Sequence, residues 1–72
     1  MATSRLRTRG TVKWFDTRKG FGFAERTGAP AVFIHIGAVT TDGVVDLKPG
    51  QELEFLVDIT RRGPVAHEIR IV

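Results

Sequence analysis

At 72 residues with a formal net charge of +3 and no cysteine, the chain is expected to form one domain without disulfide or thiolate-metal support. No apolar run approaches the 18 or so residues of a membrane span, and "MATSRLRTRG" lacks the apolar stretch of a signal peptide, so the default expectation is a soluble, cytoplasmic monomer. The charge is unevenly placed: residues 1–26 hold seven bases (Arg5, Arg7, Arg9, Lys13, Arg18, Lys19, Arg26) against two acids (Asp16, Glu25), whereas residues 27–72 hold four bases against six acids.

Residues 1–9 read as a basic, mobile arm, and residues 10–72 as the folded unit. "TVKWFD" (11–16) is β-prone and ends at the turn "TRKG". "GFGFAE" (20–25) is the second strand, followed by the loop "RTGAP" and the third strand, "AVFIHI" (31–36). A longer irregular stretch, "GAVTTDGVVDLKPG", precedes "QELEFLVDI" (51–59), whose Leu53, Phe55 and Val57 alternate onto one face and read as core. "TRRGP" is a turn, and "VAHEIRIV" (65–72) closes the series. Five short strands without a helical pattern indicate an all-β barrel or sandwich, and closure is expected because open edges invite aggregation.

The functional question is which way the aromatic side chains point. In the third strand Val32, Ile34 and Ile36 share one face and Phe33 and His35 the other, so the aliphatic face reads as core. In the second strand Phe21 and Phe23 share a face opposite Gly22 and Ala24. Phe is usually buried; the pattern alone leaves both orientations open. Outward-facing rings beside the basic segment would suit single-stranded nucleic acid, which needs cations for phosphates and ring faces for bases.

"KGFGF" (19–23) followed by "VFIHI" (32–36) resembles the paired ribonucleoprotein motifs of the cold-shock domain family. "VKWFD" is similar to that family's opening "VKWFN", and "RGP" (62–64) matches its last turn. The glycine-aromatic motif also occurs in RNA-recognition-motif domains, but helices separate it from its partner strand there, and here a short loop joins the two. The resemblance implies a five-stranded antiparallel OB-type barrel that binds single-stranded RNA or DNA, as a non-enzymatic RNA chaperone of low sequence specificity. On matching positions it implies stacking by Trp14, Phe15, Phe21, Phe23, Phe33 and His35, with Lys13, Lys19 and Arg62 at the rim.

The chain departs from that pattern in four places. Asp16 replaces the usual asparagine, Ile36 and Val44 stand where aromatics are common, and Gly37 stands where serine is common. A shorter or weaker footprint is therefore expected. Strict alternation sends Ile36 to the core, whereas the family's aromatic there reaches the binding face, which implies a break in the strand before "GAV". Val44 is expected in a loop at the platform's edge. With no cysteine, two separated histidines and scattered acids, no catalytic group, metal site or cofactor site is assembled. His67 reads as a surface residue of the last strand. The alternative class is a ribosome-associated or protein-interaction OB barrel, which would not require the rings to be exposed beside Lys13 and Lys19.

Overall fold

The structure, a computed structural model, describes residues 7–44 and 46–72. Its strands are β1 (Thr8–Asp16), β2 (Phe21–Arg26), β3 (Ala29–His35), β4 (Glu52–Thr60) and β5 (Gly63–Ile71), with one 3₁₀ turn at Ile36–Ala38. They close in the order β1-β2-β3-β5-β4. Four of the five seams are antiparallel, and the fifth, between β3 and β5, is parallel with the single pair Phe33–Val65. The purely antiparallel barrel expected from the sequence is corrected at this seam. Around a closed ring of five strands, alternating directions must repeat once, so one parallel contact is unavoidable.

The core holds Val12, Ala24, Val32, Ile34, Leu53, Phe55, Val57, Ala66 and Ile69 from the strands, and Leu47 from the long β3–β4 connection. Ala24, Val32 and Ile34 have no exposed surface at all. The inward faces of β2 and β3 are therefore the small and aliphatic ones, as alternation requires. None of the described residues buries a polar or charged side chain, and among them no helix is long and apolar enough to cross a membrane.

Of the strand boundaries that differ from the sequence reading, two bear on the site. Strand β1 starts three residues early: Thr8 and Arg9, assigned to the arm, pair with Phe55 and Glu54 of β4. Gly10 carries that pairing past a crowded point, where a Cβ would lie 2.9 Å from the Phe55 ring and 2.7 Å from the Glu25 carbonyl. Residues 1–6, including Arg5 of the proposed arm, lie outside the described residues. Strand β3 ends at His35, because Ile36 enters the 3₁₀ turn. The His35 Nδ1 accepts the Gly37 N–H at 2.9 Å and caps that turn. Ile36 thus leaves the aliphatic row of Val32 and Ile34 and packs over Gly20, where a Cβ would sit 3.1 Å from its Cγ2.

Candidate nucleic-acid interface

A bulge in β1 decides where the aromatic side chains go. Val12 pairs with Ala24 inside the barrel, but the register slips before Trp14, which pairs with Phe23, while Phe15 pairs with Gly22. One extra residue on one strand re-aims the side chains that follow it. Lys13 and Trp14 consequently both lie on the outside, Trp14 with 41% of its surface exposed. The bulge brings the β1 backbone down onto Gly22, where a Cβ would stand 2.1 Å from the Trp14 carbonyl oxygen and 2.7 Å from the Phe15 Cα. No side chain fits there. Gly22 faces inward because only glycine can, and its neighbours Phe21 and Phe23 must then face outward.

The outward rings form one cluster. Phe21 pairs with His35, and Phe23 with Phe33, across β2 and β3. Ring centroids are 5.9 Å apart for Trp14–Phe21, 5.6 Å for Trp14–Phe23, 5.6 Å for Phe21–Phe33 and 5.8 Å for Phe23–Phe33. Mutual contacts of this kind hold each ring in place, worth about 0.5–1.5 kcal/mol per pair beyond area burial. The three phenylalanines are half-buried and His35 is exposed. A contiguous apolar surface left open on a small domain marks an interaction site.

Basic residues edge this platform. Lys13 sits on the bulge, and Lys19 in the β1–β2 turn, where its N–H donates to Asp16 Oδ1 at 2.9 Å. Asp16 also accepts the Gly20 N–H on its carbonyl at 2.7 Å, so it builds the turn that precedes Phe21. With Nδ1 of His35 accepting from Gly37, a neutral ring carries its proton on Nε2, a donor with no partner among the described residues. Beyond Phe33 the platform continues into a groove of about 400 Å³. Phe23, Ala31 and Phe33 line it from β2 and β3, and Thr60, Arg62, Pro64 and Val65 from the β4–β5 hairpin.

Of the residues singled out in the sequence, Trp14, Phe21, Phe23, Phe33 and His35 come together, with Lys13 and Lys19 beside them and Arg62 in the adjoining groove. Phe15 does not join them. The register slip puts it opposite Gly22 on the inward side, half-buried against the core. Val44 also differs from the expected loop-edge position, because it too packs half-buried on the core. The groove residues Ala31, Pro64 and Val65 were not legible as a set, since the β3–β5 seam that joins them has only one paired position. His67 is half-buried on β5, with Nε2 3.4 Å from Asp58 Oδ2.

Comparison with known proteins agrees with this geometry. The family model described as the 'Cold-shock' DNA-binding domain matches residues 8–72. The Cold shock-like protein CspE of Bacillus anthracis is 48% identical over 60 residues, covering 83% of this chain and 90% of the relative. A Cold shock-like protein of Thermotoga maritima is 41% identical over 64 residues, covering 89% and 97%. Among solved structures, one titled "drosophila Unr CSD456" superposes with a TM-score of 0.76 at 25% identity, covering 93% of this chain and 27% of that longer one.

Proposed function

The chain belongs to the cold-shock domain family, and from that premise we propose that it acts as a non-enzymatic chaperone of single-stranded RNA or DNA, working as a monomer. The observation that carries this reading is the outward cluster of Trp14, Phe21, Phe23 and Phe33, held by an inward Gly22 that tolerates no side chain. Every base has a π-face, so successive bases stack on such rings with little regard to sequence, at about 1–3 kcal/mol each. Lys13 and Lys19 neutralise the phosphates that pass the rim. The free Nε2–H of His35 donates to an oxygen of the strand.

Paired bases hide their faces inside the duplex. A protein that binds only unpaired faces therefore shifts weak secondary structure toward the open strand by mass action, with no need for ATP. All the parts stand on one chain, so no second copy is required.

Quenching of Trp14, the only tryptophan, during titration with heptauridine reports the contact directly. The expected result is saturable quenching that weakens as salt rises, and no quenching by a fully paired duplex of the same length. Equal response to duplex and single strand would reject stacking. No response to either would favour the protein-interaction class of barrel.

A further inference from the structure

The groove beyond Phe33 differs from the platform in what it can hydrogen-bond. Apart from Thr60 and Arg62 its side chains are apolar. The Thr60 hydroxyl is already committed: it donates to the Gly63 carbonyl at 2.7 Å and accepts the Arg62 N–H at 3.2 Å. The Arg62 guanidinium makes no hydrogen bond or ion pair among the described residues, and the residue is exposed. Arginine carries five N–H donors in a planar fork and no acceptor. The one polar side chain of the groove without a partner among the described residues is therefore a two-pronged donor, lining the same groove as Phe23 and Phe33.

We infer that this groove seats one base of the bound strand and that Arg62 makes it prefer guanine to adenine. The inference rests on the single-strand reading above and adds one position of selectivity to an otherwise tolerant footprint. The two purines offer the phenylalanine rings nearly the same stacking surface, so stacking does not separate them. Their edges do. Guanine presents O6 and N7 as adjacent acceptors, which match a guanidinium fork, whereas adenine presents N7 beside the N6 amino group and turns a donor toward a donor. At the other end of the platform, Asp16 adds a carboxylate next to Phe21, so the preference belongs to the groove position and not to the whole strand.

The test is a scan of heptauridines in which each position in turn carries guanine or adenine, with affinity read by Trp14 quenching. The adenine-to-guanine ratio of Kd should stay near unity at most positions and rise to about tenfold at one. Arg62→Ala should return that position to unity. Arg62→Gln should turn it toward adenine, because a glutamine amide pairs N6 and N7 of adenine. Melting temperatures of both variants should match the wild type, since the side chain supports nothing in the fold. A ratio near unity at every position, with all oligonucleotides still bound, would overturn the groove inference and leave the stacking platform standing. A preference that survives Arg62→Ala would overturn it too. Binding of none of the oligonucleotides would remove the single-strand reading and this inference together.

Discussion

The β1–β4–β5 surface and the β1–β2–β3 surface both carry arginines and lysines, but they treat them differently. On the first, Arg9 lies between Glu52 (3.9 Å) and Glu54 (3.6 Å), and Arg70 bonds Glu54. Arg7 donates to the Glu68 carbonyl at 2.6 Å and lies 3.5 Å from its carboxylate. On the second, Lys13 and Lys19 form no ion pair among the described residues, nor does Arg18 in the β1–β2 turn, nor Arg62, which lines the adjoining groove from the β4–β5 hairpin. Charges on one surface are spent on each other, and those on the other are left for something outside the molecule. Counting bases along the sequence does not reveal this. It groups Arg7 and Arg9 with Lys13 and Lys19, whereas the fold separates them.

The largest expected effect tests what holds the second surface in place. Gly22→Ala would drive a Cβ into the Trp14 carbonyl, and the strands must part to admit it. Denaturant unfolding should show a loss at or above the top of the roughly 1–3 kcal/mol usual for overpacking, if the variant folds at all. A variant as stable as the wild type would mean that the bulge does not fix the ring orientation.

Next come the rings. Phe21→Ala, Phe23→Ala and Phe33→Ala should each weaken heptauridine binding by about 1–3 kcal/mol. Each should cost less stability than the roughly 3–5 kcal/mol of a buried Phe→Ala; Phe55→Ala, fully buried, provides that reference. Titration and thermal melting on the same samples separate the two quantities.

The two positions where the family usually has aromatics should also part company. Val44→Phe enlarges a side chain already packed on the core, so it should lower stability by about 1–3 kcal/mol without tightening binding. Ile36→Phe enlarges one that lies outside the core on the 3₁₀ turn, and should tighten binding by up to about 1–3 kcal/mol.

The smallest effect belongs to the first surface. The hydrogen bond from Arg70, then the charges of Arg70, Arg9 and Arg7, hold the Glu54 carboxyl below its ordinary 4.5. A carboxylate with a lowered folded pKa stabilises above its unfolded value and loses that contribution as pH falls through the folded one. Glu54→Gln should therefore melt slightly earlier than the wild type at pH 7. The gap should close as the pH drops below about 4, while oligonucleotide affinity at pH 7 stays unchanged.

Much of this was readable from the residues. Leu53, Phe55 and Val57 alternate cleanly, and the aliphatic row Val32 and Ile34 points inward as its composition demands. Phe21 and Phe23 were ambiguous by periodicity, because a strand of glycine, alanine and phenylalanine has no clear apolar side; the motif resemblance was needed. The motif resemblance implies a platform role for Phe15, but the extra residue at Lys13 inverts the faces that follow it and turns that ring inward, which neither the motif nor a period-two pattern reveals. The early start of β1 is hidden because "TSRLRTRG" is polar and charged, while its pairing with β4 is a backbone ladder that side-chain pattern does not advertise. The groove required two strands that are distant in sequence to meet along a parallel seam.

The most direct test of the division between the two surfaces is the salt dependence of heptauridine binding for the wild type, Lys19→Ala and Arg9→Ala. A single strand whose phosphates meet three or four cations should give a slope of log K against log salt of about −2 to −3. Lys19→Ala should flatten that slope by up to about 0.7, the share of one phosphate contact, and Arg9→Ala, whose charge is already matched by Glu52 and Glu54, should leave it unchanged. A slope flattened as much by Arg9→Ala as by Lys19→Ala, or binding that ignores salt altogether, would contradict it.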